Sequence, residues 1–258
     1  MLFESSMSNR DIRIASNSSR DELARRDKFL ELFRCCPIPD RELLSNLGLF
    51  INRQTLSRIL FMHNLYQRIL DVHGIVVEFG VRWGQNLALF SAFRGMYEPF
   101  NYNRKIVGFD TFEGFVNLDP KDGRAEIASA GGYSVTEGYE EYLRKVLDYH
   151  ETESPLAHLK KHELVKGDAC VTIDQYFRDN PETIVALAYF DFDVYLPTKK
   201  CLEAIQGHIT KGTVIGFDEL NWHSFPGETL ALKEVLGLDR FRIMRSPLNP
   251  SPSFIVIE

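Results

Sequence analysis

The stretch of sequence that decides the fold is Ile75-Val76-Val77-Glu78-Phe79-Gly80-Val81-Arg82-Trp83-Gly84. Its apolar first half indicates a buried strand, and residues 85–93 have the apolar spacing of a helix. The two glycines indicate a tight turn between strand and helix, where a backbone can approach a ligand closely. The same pattern also fits an ordinary glycine turn. Alone, it predicts only the first half of a βαβ unit.

Further apolar runs follow this one and alternate with helical stretches. They cover residues 105–110, 163–167, 184–191 and 213–218. Such alternation predicts a parallel sheet with helices on both faces. The last two runs, residues 241–244 and 253–257, are joined by a turn too short for a parallel crossover, so we expect them to pair antiparallel. The predicted fold class is α/β, with a mostly parallel sheet and an antiparallel C-terminal hairpin.

The chain before this sheet has a different pattern. Residues 1–19 are rich in Ser, Asn and Arg and lack an apolar core, so we expect a disordered leader and no secretion signal. Residues 20–73 are expected to form a helical extension whose apolar face, over Leu56–Leu70, serves a lid, a dimer contact or an intramolecular contact. Residues 74–258 are expected to form one domain that carries the site. Within it, residues 111–136 are interpreted as a lid or as a surface excursion.

Composition and charge argue against several classes of partner. The 258 residues carry a formal net charge of -6, from 30 basic and 36 acidic side chains. With no long basic run, we expect no nucleic-acid and no membrane partner, and no apolar run approaches the ~20 residues of a transmembrane helix. The cysteines form no CxxC pair, which favours free thiols in a reducing cytoplasm over a disulfide frame or a zinc site. A small-molecule substrate fits best.

Acidic residues lie at or next to the ends of the predicted strands: Glu78, Asp110, Asp191 and Asp218. Ligands of open α/β sheets bind outside the carboxyl ends of the strands, so we expect these carboxylates to converge on one rim. Gathered carboxylates are costly unless a cation or a hydrogen-bond donor meets them. Two functions fit, recognition of the hydroxyls and amines of a nucleoside and binding of a metal. Asp110 is placed to accept hydrogen bonds from ribose hydroxyls.

Two motifs carry a specific resemblance. Residues 76–84 resemble motif I of the macrocin O-methyltransferase family, and residues 110–115, Asp-Thr-Phe-Glu-Gly-Phe, resemble that family's acidic-Ser-Phe-Glu-Gly signature with Thr111 in the serine position. The resemblance runs from about Leu56 to Leu236, with its motifs in order. Members are class I, S-adenosylmethionine-dependent enzymes that methylate sugar hydroxyls on natural products. The resemblance implies the Rossmann-like class I methyltransferase sheet, S-adenosylmethionine as cofactor, and a dimer formed through the N-terminal helices.

The resemblance also implies which residues contact the cofactor. Glu78 and Gly80 would contact its methionine end and Asp110 its ribose. Asp168 lies where the family contacts adenine, although it fits equally well as the N-cap of a helix over residues 170–177. The implied cofactor contacts are Glu78, Gly80, Asp110, Thr111, Glu113, Asp168, Ala169 and Asp191.

Two pairs of acids follow the fourth and fifth strands, Asp191 with Asp193 and Asp218 with Glu219. Hard cations such as Mg²⁺ bind oxygen ligands, which carboxylates from adjacent strand ends could supply. The resemblance implies Asp191, Asp218 and Glu219 as ligands of Mg²⁺ or another divalent cation, and Asp193 as general base. The family usually has two aspartates and an aromatic residue where this chain has Asp218-Glu219-Leu220. Helix capping and salt bridging are the structural alternative for these acids.

Three functions stay open. The first is metal-dependent methylation of a sugar or polyol hydroxyl, in which a metal lowers the pKa of the hydroxyl and Asp193 takes its proton. The second omits the metal and uses His223, in the loop after the fifth strand, or a lysine as base. The third is an S-adenosylmethionine-binding module without turnover. A nicotinamide dehydrogenase is disfavoured, because Val81-Arg82 fill the place of the middle glycine in its fingerprint.

Overall fold

The computed structural model describes residue 12, residues 18–123 and residues 125–258. The predicted disordered leader, residues 1–19, therefore lies almost wholly outside the described residues. The helices are α1 (Arg20–Arg34), α2 (Asp40–Leu43), α3 (Arg53–Gln67), α4 (Gln85–Tyr97), α5 (Tyr139–Thr152), α6 (Ala169–Asp179), α7 (Tyr195–Ile205) and α8 (Gly227–Val235), with short 3-10 turns at Leu44–Phe50 and Pro120–Asp122. The strands are β1 (Ile75–Phe79), β2 (Ile106–Asp110), β3 (His162–Lys166), β4 (Val185–Phe190), β5 (Ile209–Phe217), β6 (Met244–Arg245) and β7 (Ser253–Val256).

These strands form one sheet in the order β3-β2-β1-β4-β5-β7-β6. Strands β1 to β5 pair in parallel, and β7 pairs antiparallel with both β5 and β6. The predicted α/β class, with its parallel sheet and antiparallel C-terminal hairpin, is confirmed. The predicted position of the first hairpin strand, residues 241–244, is wrong, because the chain pairs only through Met244 and Arg245, opposite Phe254 and Ser253.

The sheet is covered on both faces. All six residues of the central strand β4 are buried, as expected for a parallel strand between two helical layers. One apolar core joins the sheet to α6, α7 and α8, and the other joins it to α3, α4 and α5. Among the described residues, no helix is both long and apolar enough to cross a membrane.

A row of phenylalanines crosses the sheet just below its carboxyl edge. The strand registers align Phe109 with Phe79, Phe79 with Phe190, and Phe190 with Phe217. Their ring centroids lie 5.4, 4.7 and 5.4 Å apart along the row. All four rings belong to the core on the α6, α7 and α8 side. Because side chains alternate along a strand, the residue next to each phenylalanine lies toward the opposite side, where α3 and α4 pack.

The N-terminal extension is helical, as predicted. Helix α3 is capped by Asn52, whose side chain accepts a hydrogen bond from Thr55 N over 2.9 Å. The predicted apolar face of α3 is only partly buried, since its Leu65 is fully buried whereas its Leu56 and Leu60 are 45% and 43% exposed. Helix α1 has no buried residue; its Phe33 contacts Phe50 at a centroid distance of 4.9 Å. The extension is thus joined to the core through α3.

The packing of α3 gives a stability prediction. Leu65→Ala is expected to lower the free energy of unfolding by about 2–5 kcal/mol, because it removes a buried side chain from a filled core. Leu56→Ala, on the exposed side of the same helix, is expected to stay within about 0.5 kcal/mol of the wild type. Denaturant unfolding followed by circular dichroism measures both. Equal losses in the two variants would contradict this description of α3.

Candidate active site

A cavity of about 390 Å³ opens at the carboxyl ends of β1, β2, β4 and β5. Its walls come from the strand ends, the first turns of α4 and α6, and parts of residues 111–136. Ten of the predicted site residues line it: Glu78, Gly80, Asp110, Thr111, Asp168, Ala169, Asp191, Asp193, Asp218 and Glu219. The other two, Glu113 and His223, do not line the cavity and are exposed. The strand-end acids converge on one rim, as expected.

The turn after β1 packs directly on the end of β4. Gly80 has a φ of +91°, and a Cβ added to it would stand 2.1 Å from the carbonyl oxygen of Asp191. A side chain at this position is therefore excluded both by the backbone conformation and by space. The turn leads into α4 at Gln85, so the N-terminus of that helix borders the cavity.

Asp110 fixes this turn from the neighbouring strand. One carboxylate oxygen accepts hydrogen bonds from Val81 N at 2.7 Å and Arg82 N at 2.8 Å, and the other accepts one from Phe112 N at 2.5 Å. Burial raises the pKa of Asp110, and these backbone donors act in the opposite direction. The carboxylate is thus held rigidly at the cavity wall, with its second oxygen able to accept a further bond.

Glu78 offers an unpaired oxygen to the same cavity. Its side chain is 1% exposed, and one oxygen accepts a hydrogen bond from Asn86 Nδ2 at 2.7 Å. Within the described part of the chain, its other oxygen, Oε2, has no hydrogen-bond partner. Burial raises the pKa of Glu78 well above its usual value. A buried acceptor without a donor is unfavourable, and a ligand that brings a donor, such as an ammonium group, would satisfy it.

The ends of β4 and β5 bring together Asp191, Asp193, Asp218 and Glu219, with Glu228 of α8 behind them. Burial and the neighbouring Asp218 raise the pKa of Asp191 to about 7, and the same two causes raise that of Glu219 to about 7. Burial, followed by the charge of Glu219, raises the pKa of Asp193 well above its usual value. Burial and mutual repulsion thus make it unfavourable for all of these carboxyl groups to be ionised at once.

One cation reaches these acids from the N-terminal extension. Arg58, on α3, donates from Nη2 to Asp191 Oδ2 at 2.5 Å and from Nη1 to Asp218 Oδ1 at 3.0 Å. Its Nε donates to Asn86 Oδ1 at 3.3 Å, so Asn86 joins Arg58 to Glu78. Tyr189 also donates to Asp218 Oδ1, at 2.6 Å. The guanidinium thus ties the ends of β4 and β5 to the first turn of α4.

Sequence reasoning missed Arg58 and Asn86. The available signal was the position of Arg58, which lies three and four residues before Phe61 and Met62 and so falls on the buried face of α3. A charged residue on a buried face needs a partner of opposite charge. That partner is 133 residues away in sequence, and no local pattern identifies it.

The predicted metal ligands agree with a metal site in chemistry but not in arrangement. Asp191, Asp218 and Glu219 supply hard oxygen donors, and Glu219 Oε2 is buried without a hydrogen-bond partner within the described chain. Nevertheless, no three His, Cys, Asp or Glu side chains of the described residues are placed to hold one metal ion. Arg58 instead supplies the positive charge between Asp191 and Asp218. The donor set is thus chemically suitable for a divalent cation, but in the described residues Asp191 and Asp218 are arranged as an ion pair with Arg58.

The other predicted residues have clear positions. Asp168 is the N-cap of α6, accepting from Cys170 N at 2.8 Å, and it also accepts from Asn117 Nδ2 at 2.7 Å. The capping interpretation is confirmed, while the cofactor contacts of Asp168 and Ala169 stay predictions.

Thr111 donates to Gly114 O at 2.9 Å and so shapes the start of the 111–136 segment. His223 lies in an exposed loop beside Ser224 and does not line the cavity, so its role as base stays a prediction.

The 111–136 segment forms one wall of the cavity. Phe115 and Tyr133 line it, and their rings meet at a centroid distance of 5.6 Å. Arg82, from the turn after β1, lies over the Tyr133 ring at 4.7 Å. A surface excursion would not line the cavity, so this position favours the lid interpretation.

A seven-stranded sheet of this order, a glycine turn after β1 and an acid at the end of β2 define a class I S-adenosylmethionine-dependent methyltransferase. Comparison with solved structures identifies the family. The chain is 42% identical to CalS11, a calicheamicin methyltransferase, with a TM-score of 0.91 over 98% of each chain. The chain is also similar to an apo structure of CalS11, which is described as a TDP-rhamnose 3'-O-methyltransferase. The sequence identity is 40% and the TM-score 0.82, over 93% of this chain and 96% of that one.

The chain therefore belongs to the macrocin O-methyltransferase family and is an S-adenosylmethionine-dependent O-methyltransferase. The O-methyltransferase NovP shares the fold, at 16% identity and a TM-score of 0.56, over 78% of this chain and 79% of that one. No protein-family model and no curated protein matches the chain.

The position of Asp110 gives a prediction on cofactor binding. Asp110→Asn puts an amide nitrogen against backbone donors, so the turn after β1 loses at least one hydrogen bond and the cavity loses a charged acceptor. We expect S-adenosylhomocysteine to bind more weakly by about 2 kcal/mol, roughly 30-fold, as measured by calorimetry. Asp174→Asn, on the far side of α6 beside Lys200, is the matched control and should bind normally. Unchanged affinity in Asp110→Asn would argue against this assignment.

Proposed function

We propose that this protein transfers the methyl group of S-adenosylmethionine to a hydroxyl of a sugar that is carried on a nucleotide. The observation that carries the proposal is the single cavity that joins Glu78 and Asp110 to the acids after β4 and β5. The sugar-nucleotide acceptor is supported by the 40% identity to CalS11, which is described as acting on TDP-rhamnose. We further propose a cytoplasmic homodimer, as the free thiols and the family resemblance predict.

The residues around the first half of the cavity fit S-adenosylmethionine. The unpaired Oε2 of Glu78 matches the ammonium of the methionine end, and Asp110 matches the ribose hydroxyls. Gly80 keeps the floor between them free of a side chain. Asp168 and Ala169 border the remaining part of the cavity, where we place the adenine. When bound, the cofactor supplies an electrophilic methyl group on its sulfonium.

Asp193 is the proposed general base. A sugar hydroxyl is a far weaker acid than an ordinary carboxylic acid, so proton transfer to a carboxylate of normal pKa is unfavourable. Burial raises the pKa of Asp193, which makes its carboxylate a stronger base. Its backbone, with a φ of +63°, is in the left-handed region, and its side chain lines the cavity next to Asp191. Strained backbone of this kind is frequent at catalytic positions.

Asp191, Asp218 and Glu219 are the proposed ligands of a divalent cation such as Mg²⁺. The support is the charge of this corner, where in the described structure the carboxyl groups outnumber the guanidinium groups that bond to them, together with Glu219 Oε2, which has no hydrogen-bond partner there. A divalent cation at these ligands would supply the charge that lowers the pKa of a bound hydroxyl.

The function is tested with S-adenosylmethionine and TDP-rhamnose, with the product identified by mass spectrometry and its methylated oxygen by NMR. The wild type is expected to add one methyl group to a sugar hydroxyl. Asp193→Asn should lose about 10²–10⁴-fold in kcat, since it removes the base, while its calorimetric affinity for S-adenosylhomocysteine stays close to that of the wild type. A panel of nucleotide sugars without any methylated product would refute the acceptor class, and full activity of Asp193→Asn would refute the base.

Metal dependence is tested separately by removing divalent cations. Protein treated with EDTA and then desalted is expected to lose most of its methyl transfer activity, because the bound hydroxyl then lacks the charge that lowers its pKa. Adding Mg²⁺ should restore the activity, and adding Na⁺ at equal ionic strength is the control. Undiminished turnover after chelation would instead support the metal-independent alternative.

A further inference from the structure

Arg58 bonds to the same carboxylates that the proposed metal needs. Its two terminal nitrogens take Asp191 Oδ2 and Asp218 Oδ1, one oxygen from each of two proposed ligands. A guanidinium carries a single positive charge in a planar fork, whereas a divalent cation requires oxygens converging on one point. The two cations therefore demand different arrangements of these side chains, and both cannot occupy the gap between them.

We propose that Arg58 and the divalent cation are alternative occupants of the Asp191–Asp218 pair, so that Arg58 must leave before the cation binds. This inference rests on the proposed metal site and assigns a gating role to a residue of the N-terminal extension. In the absence of the cation, Arg58 compensates the charge of the acids. When the cation binds, the guanidinium is released into the cavity that it already lines.

The position of Arg58 allows this exchange. Its side chain is 30% exposed, so it can leave the acids by a change of rotamer without opening the core. Its Nε bond to Asn86 is the longest of its three, at 3.3 Å. The bonds that it would give up are ion pairs to carboxylates that are only 24% and 19% exposed, so the cation that replaces Arg58 must supply the compensating charge.

Electrostatics alone would also make a metal bind more tightly after any nearby positive charge is removed. A substitution of Arg82 distinguishes this general effect of charge from direct competition for the carboxylates. Arg82 lines the same cavity, and its charge acts on Asp191, but it stacks over Tyr133 instead of bonding to Asp191 or Asp218 in the described structure. Loss of Arg82 therefore changes the charge of the cavity without freeing the carboxylate oxygens.

The experiment measures Mn²⁺ affinity by the electron paramagnetic resonance signal of the free ion, with S-adenosylhomocysteine present. Arg58→Met is expected to bind Mn²⁺ at least about tenfold more tightly than the wild type, because the competing guanidinium is gone. Arg82→Met should change the affinity by less than about threefold. Arg53→Met, at the exposed start of α3, controls for the loss of a positive charge far from the acids.

Two further measurements test the same exchange independently. Arg58→Lys keeps the charge but loses the fork, so its Mn²⁺ affinity should lie between those of the wild type and Arg58→Met, and it serves if Arg58→Met fails to fold. Thermal unfolding should show a larger rise in Tm on adding Mn²⁺ for Arg58→Met than for the wild type.

Equal Mn²⁺ affinities in the wild type and Arg58→Met, or equal gains in affinity in Arg58→Met and Arg82→Met, would overturn the exchange but not the metal site. Absence of Mn²⁺ binding in every variant would overturn both.

Discussion

The row of phenylalanines below the carboxyl edge of the sheet is the constraint on which the site depends. Phe109, Phe79, Phe190 and Phe217 are in register on adjacent parallel strands and share one face of the sheet. A shift of one residue in any strand would put its ring on the wrong face. The register that stacks the rings also places Asp110, Asp191 and Asp218, each one residue further on, side by side on the face toward α3 and α4. The apolar core therefore determines where the acids stand.

The two halves of this acidic rim are compensated in different ways. Around β1 and β2 the compensation comes from the backbone, with three N–H groups directed at Asp110. Such donors cannot leave, which suits a carboxylate that positions a cofactor. Around β4 and β5 it comes from a side chain, Arg58, and the acids there keep raised pKa values. A side-chain cation is exchangeable. The rim thus has a fixed half where the cofactor is expected and an adaptable half where the chemistry is expected.

The sequence predicted what depends on local pattern. The apolar runs and the short final turn gave the sheet, and the acids at the strand ends gave the rim of the cavity. The predictions were less accurate where the structure depends on contacts between distant segments. Of the predicted apolar face of α3, Leu65 is buried but Leu56 and Leu60 are exposed, because α4 and the sheet cover only part of that face. Residue type alone also did not predict position, since Glu113 and His223 have suitable chemistry but are exposed and do not line the cavity.

Arg58 also changes how the N-terminal extension is understood. The extension was predicted to serve as a lid, a dimer contact or an intramolecular contact, outside a domain that begins at residue 74. Helix α3 makes the intramolecular contact, since it contributes both core residues and the cation of the acidic corner. Helix α1 is linked to α3 through the hydrogen bond from Arg26 to Gln54 and through Phe33 against Phe50. Since Arg58 is part of α3, a change in the position of this helix would move the guanidinium relative to Asp191. Through Arg58, the extension is in this sense part of the candidate active site.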